Sequence, residues 1–203
     1  MMPFAFTPRF QQAMARFDAL NAQDPSGQQL PYARRMTDWL DRLAPDATEP
    51  LRLAARSQHL MRWRIPRGQF PMGHAGYLKW RTTLYDFHAD EAGKVLREVG
   101  YDEPTIQRVR SLIRKEHIKS DPEMQLLEDV ICLVFLENYF ADFARDHDEE
   151  KLVRILRKTW RKMSERGHEA ALGLPLGQRE RELIARARTP ARESDRPTGD
   201  GAG

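Results

Sequence analysis

The stretch EMQLLEDVICLVFLENYFADFA, residues 123–144, decides the fold. Its middle, VICLVFL (130–136), is apolar on every side, so a helix built from it has no face for water and belongs at the centre of a core. The preceding Asp121-Pro122 supplies a cap and a first-turn proline. The apolar run is only seven residues long. Spanning a bilayer takes ~20. The expected element is a central buried helix, with no membrane partner.

Outward from it, helix signals dominate. Thr7-Pro8 reads as a cap and a first helical proline, with Phe10, Met14 and Phe17 at helical spacing. Pro31 opens a helix with Tyr32, Met36, Trp39 and Leu43 on one side, and Pro45 ends it. A third helix is expected from Thr48 to about Arg64, because Pro66 disfavours helix before it. The loop 66–73 follows. Gly76 to Val99 reads as helix, with a break expected near His88–Gly93 and a stop at Gly100. Pro104 opens the next, and Asp148 caps one that ends at Gly167. GQRERELIARAR forms a last polar helical stretch. No segment holds the strand period for long. The expected fold is all-α: one helical domain over 1–175 with about six to eight helices, then a polar helical extension and disordered tail over 176–203.

The chain has 203 residues, long enough for a substantial core. Its single cysteine, Cys132, excludes an intrachain disulfide and a four-cysteine zinc site. The N-terminus lacks the pattern of a signal peptide, so a cytoplasmic location is expected.

Net charge is only +3, but the charge is segregated. Pro50 to Tyr85 holds seven Arg or Lys and no acid, 121–150 holds ten acids and one base, and 151–166 holds seven bases and one acid. Docking of oppositely charged helices would absorb much of this. The loop arginines are harder to absorb that way. Arg62, Arg64, Arg67 and Arg81 are candidate anion ligands, since guanidinium binds phosphate or carboxylate in a two-point fork. Lys158 is a further candidate, against the alternative of a solvated helix face. The modest net charge and the acids of 121–150 weigh against a nucleic-acid partner. Buried imidazoles join the candidates. His59 has Leu51, Ala55 and Trp63 at helical spacing, and His88 has Leu84 and Ala92. His117 stands at a helix end, where it could simply serve the helix dipole. Asp129 sits among Leu126, Val130, Leu133 and Leu136, and a carboxylate buried there needs a cation, metal or donors.

The segments LRLAARSQHLMRWRIPR, FHADEAGKVLREVG and VRSLIRKEHIKSDPEMQLLEDVICLVFLE resemble the scaffold of the HD superfamily of metal-dependent phosphohydrolases. By order and spacing the resemblance implies His59, His88, His117 and Asp129 as ligands of a divalent transition metal. His59 and Asp129 would be the catalytic pair. Two positions depart from the pattern: the dyad aspartate is Leu60, and the first ligand histidine is Tyr32. The blocks QHLMRWRIPR, GYLKWR, FHA, QLLEDVICLVFL and KTWRKMS are more closely similar to the family called domain of unknown function 4202, over roughly residues 8–172. That similarity brings no established activity. The functional expectation is an Arg- and His-lined site for a phosphorylated small molecule or nucleotide, either hydrolysing it with a metal or binding it without chemistry.

Overall fold

The computed structural model describes residues 6–117 and 120–189. Among these every regular element is a helix, and the chain divides into two compact units, one running to Val134 and one from Phe135. No described helix is long and apolar enough to cross a membrane.

The first unit opens with α1 (Pro8–Asn21), capped by Thr7, whose hydroxyl accepts from the Phe10 N–H. Its Phe10, Ala13 and Phe17 are buried. Next comes α2 (Gln29–Leu43), which starts two residues before Pro31. Asp24 makes that early start possible. Its buried carboxylate accepts from Ser26, Gln28 and Gln29 N–H groups and closes the loop tightly. Thr48 caps α3 (Glu49–Ser57), and a long α4 (Gly73–Glu98) stops at Gly100, whose φ of 85° suits a residue without a Cβ. Asp102 caps α5 (Glu103–Arg114). Between α3 and α4 lie two 3-10 turns, Arg62–Arg64 and Arg67–Gln69. α3 packs on α1, α2 and α5, and α4 packs on α5 and α1. The last helix of the unit, α6 (Pro122–Asn138), contains the unit boundary, and its Met124, Leu127, Val130 and Leu133 are fully buried, as its all-round apolarity requires.

The second unit contains α7 (Phe140–Arg145), α8 (Glu149–Trp160), α9 (Glu165–Leu172) and α10 (Gln178–Arg188), with α10 packed on α8 through buried Leu183 and Ile184.

The described residues thus hold ten α-helices rather than six to eight. Three expected helices are interrupted. The third stops at Ser57, seven residues short of Arg64, because Met61 takes a left-handed backbone with φ 55°. The stretch 123–144 breaks at Tyr139, whose φ of −129° is not helical. The stretch from Asp148 breaks after Trp160, and Ser164 caps a new helix by accepting from Gly167. Conversely, α4 runs unbroken through His88–Gly93. The polar extension is an integrated helix, and the expected disordered tail lies, beyond Thr189, outside the described residues.

Candidate anion-binding site

Of the seven cations in the acid-free block, the fold disposes of five elsewhere. Arg52 is almost fully buried and donates to the Ala47 and Pro45 carbonyls and to Asp41. Arg56 forks onto Asp18 at 2.7 and 2.8 Å. Arg67 donates to the Phe70 and Pro71 carbonyls, both at 2.9 Å, and so ties its own loop together. Arg64 is exposed with Lys94 as an electrostatic neighbour, and Lys79 is exposed. Arg62 and Arg81 remain, and the fold brings them near each other.

Their convergence comes from the strained turn. α3 ends at Ser57, and the left-handed Met61 reverses the chain between His59 and Arg62. The Met61 N–H is held by the buried Asn21 side chain at 3.3 Å. Arg62 then lies over Trp80 of α4, its guanidinium carbon 4.7 Å from the ring centroid. One helical turn spaces Tyr77, Arg81, Tyr85 and His88 along α4. Arg81 donates to the Tyr85 hydroxyl and stands 5.4 Å from the centre of that ring. Lys115 reaches Tyr85 from the end of α5 at 5.6 Å and is paired with buried Glu128 of α6. Among the described residues, Arg62 and Arg81 meet no carboxylate. The four acids of α4 are engaged elsewhere: Asp86 and Asp90 by Arg110 and Arg114 of α5, Glu91 by Lys94 and Glu98 by Arg16.

His59 stacks on Tyr32, ring centres 4.2 Å apart, with His88 at 5.8 Å. Its pKa lies well below the ordinary histidine value: poor solvation lowers it most, followed by the fields of Arg62, His88, Lys115 and Arg81. The residue as a whole is half-buried. His88 is completely buried, and burial brings its pKa down to about 4, with Arg62 adding to the drop and the bond to Leu60 opposing it. Neutral His88 must donate from Nδ1 to the Leu60 carbonyl at 2.7 Å, which leaves Nε2 a buried lone pair without a partner. Arg62 stays protonated although burial lowers its pKa, with the phenols of Tyr32, Tyr77 and Tyr85 opposing and Arg81 reinforcing the drop.

Asp129 is buried and accepts from Gln125 at 3.1 Å. His117 is exposed, with φ 57°. Lys158 is an exposed residue of α8 in the second unit. Among the described residues no three His, Cys, Asp or Glu gather closely enough to hold a metal. The bare Nε2 of His88 is a competent donor, but cations dominate the field at neighbouring His59. That environment disfavours a metal cation, so the residues present do not fit one. Sequence reasoning missed Lys115, Glu128 and Tyr85. The i, i+4 spacing of Tyr77, Arg81 and Tyr85 was a signal available for the last.

A family model described as Domain of unknown function (DUF4202) matches residues 11–184 of the chain. No curated protein and no solved structure shows a significant match to it.

Proposed function

The chain belongs to the DUF4202 family, a domain of unknown function, and we propose from the site itself that its first unit binds a phosphorylated small molecule, nucleotides included, through Arg62 and Arg81 beside His59. One observation carries this reading: two part-buried guanidiniums, neither facing a carboxylate among the described residues, lie over neighbouring aromatic rings, Arg62 over Trp80 and Arg81 over Tyr77 and Tyr85. Like charges placed together without compensation cost stability, and a bound anion removes that cost. The Tyr85 hydroxyl already accepts from Arg81, so its own proton is available to the anion. Thermal-shift and calorimetric titration against inorganic phosphate, nucleotides and sugar phosphates test the idea. Binding should be salt-sensitive and should weaken at least about tenfold in Arg62→Gln or Arg81→Gln, a charge-assisted contact being worth about 1.5–3 kcal/mol. A panel that shifts neither melting nor heat refutes it.

A second reading, hydrolysis of a phosphate ester, is favoured by the state of His59. An imidazole kept neutral at pH 7 beside cations, in a half-buried residue, can take a proton from an attacking water. This needs no metal. Phosphate release that disappears in His59→Gln, with phosphate binding retained, separates the enzyme from the binding module. The HD-like ancestry of the scaffold belongs to the same proposal: Tyr32 stands against His59, and Leu60 is wholly buried, at the two positions where that pattern has ligands.

A further inference from the structure

The first two turns of α4 and the end of the loop before them project from the first unit. From Pro71 to Lys79 every residue is exposed except Gly76, which lies against the Pro71 carbonyl. A helix packed along one side buries every third or fourth residue, so exposure on all sides marks a tip. We propose that this tip rests on an anionic lipid surface, with Met72 and Leu78 entering the headgroup layer and the cations beside them facing the negative headgroups.

Apolar exposure is the first ground. Five large hydrophobic residues are exposed among the described residues, and three of them, Met72, Tyr77 and Leu78, fall within this tip. Met72 is 89% exposed, the most of the five. Scattered singly, such residues need no explanation, but gathered on a projection they mark a contact surface. The tip is also braced. Arg67 donates to the Phe70 and Pro71 carbonyls, and Gly76, lacking a Cβ, admits the Pro71 backbone. A braced tip meets a surface without first having to be ordered.

Charge is the second ground and is independent of the first. Lys79 is exposed on the tip, and the Arg67 guanidinium is bonded to carbonyl groups, which leave its charge uncancelled. Neither forms an ion pair among the described residues, and no acid occurs between Pro50 and Tyr85. The charge selects the occupant. A second copy of the chain would bring the same cations against these, and like charges repel. A protein partner needs a groove shaped to the tip, whereas a bilayer surface takes a convex tip from any side. Tyr77 suits that boundary, since a phenol has an apolar body and a polar end that settles at headgroup level. Lysine and arginine beside it are drawn to an anionic leaflet. That no described helix can cross a membrane does not bear on this, because contact from one side needs no spanning helix.

The test is co-sedimentation of the full chain, at physiological salt, with phosphatidylcholine vesicles containing phosphatidylserine and with vesicles of phosphatidylcholine alone. The serine-containing vesicles should bind the chain at least about tenfold more tightly. Met72→Ser changes a side chain that touches little of the fold, so it should melt like the parent and weaken vesicle binding at least about threefold. Adding Leu78→Ser should bring the loss to at least about tenfold. Lys79→Gln should weaken binding about fivefold, the share of one cation near a charged leaflet. No binding to the serine-containing vesicles overturns the proposal. Binding that Met72→Ser with Leu78→Ser leaves unchanged also overturns it, since the contact then lies on another basic surface. A parent chain that self-associates, and that the same two substitutions make monomeric, assigns the tip to a second copy and overturns it as well.

Discussion

Gly76→Ala asks whether the start of α4 is held as described. A helical glycine replaced by alanine ordinarily gains about 0.5–1 kcal/mol, because alanine has less backbone entropy to lose. At Gly76 the sign should reverse. The new Cβ would stand 1.9 Å from the Pro71 carbonyl oxygen and 2.7 Å from its carbon. Both are backbone atoms of the loop that Arg67 ties together through the Phe70 and Pro71 carbonyls. That oxygen would have to retreat by about 1.1 Å merely to reach 3.0 Å, the shortest approach a Cβ tolerates. Overpacking against a braced neighbour costs about 1–3 kcal/mol. After the propensity gain, the ranges leave a net loss of up to about 2.5 kcal/mol, about 1 kcal/mol at their midpoints, or roughly 2–4 °C in Tm per kcal/mol for a chain of this size. Two controls set the scale. Gly68→Ala meets nothing within 4 Å and should be near neutral. Gly93→Ala meets the flexible Arg110 side chain at 3.2 Å, which can move, so it should be neutral or stabilising. Thermal denaturation by circular dichroism measures all three. A Gly76→Ala protein that melts at or above the parent, or a Gly68→Ala protein that falls as far, refutes the packing. Because α4 carries Arg81 and Tyr85, phosphate binding should weaken with the melting temperature.

Three further perturbations have defined outcomes. His88 has a folded pKa of about 4 against an ordinary 6.5, so as pH falls from 6.5 toward 4 the unfolded chain takes up a proton that the folded chain refuses. Stability should be lost across that window, by roughly 3 kcal/mol for the whole shift. His88→Gln should remove this share of the pH dependence, and an NMR titration placing the His88 pKa at or above 6.5 would contradict it. Arg52→Met should cost about 2–3 kcal/mol in urea denaturation, mainly by orphaning the Pro45 and Ala47 carbonyls, since Asp41 is half exposed and its ion pair worth little. Arg52→Lys, lacking the fork, should recover only part. If the scaffold is HD-like, as proposed, the double variant Leu60→Asp with Tyr32→His should bind a divalent transition metal, read by elemental analysis, while Leu60→Asp alone should be destabilised because Leu60 is fully buried. A doubly substituted chain that takes up no metal argues against HD-like ancestry.

The helices were legible where chemistry is local. Thr7, Thr48, Asp102 and Asp148 all accept from the third residue onward, as their position before a helix implies. The breaks at Met61 and Tyr139 were not legible, because neither residue favours a turn and the surroundings impose the backbone. The acid-free block was legible as a source of cations, but not which cations would remain. Arg56 is neutralised by Asp18, 38 residues away, and Arg67 spends its donors on its own loop. The expected His59 came through as part of the cluster, whereas Lys115 entered it from a distant helix end that composition cannot link to residue 62.

The backbone gives an independent reason to regard this cluster as more than charge left over from folding. Three non-glycine residues have positive φ among the described residues: Met61, Lys115 and His117. A left-handed conformation costs such residues about 1 kcal/mol each. Two of the three place a cation in the cluster: Met61 turns the chain so that Arg62 follows His59 onto Trp80, and Lys115 in that conformation ends α5 at Tyr85 and Glu128. A cheaper backbone was open at both, since an ordinary turn residue relieves the strain. The fold instead keeps strained backbone, like charges in proximity and a desolvated imidazole at one place. Each of these opposes folding, and an anion bound at Arg62 and Arg81 would relieve the repulsion and raise the His59 pKa toward its usual range. A His59 relieved of part of that depression is a stronger base, which suits the proposed acceptance of a proton from water.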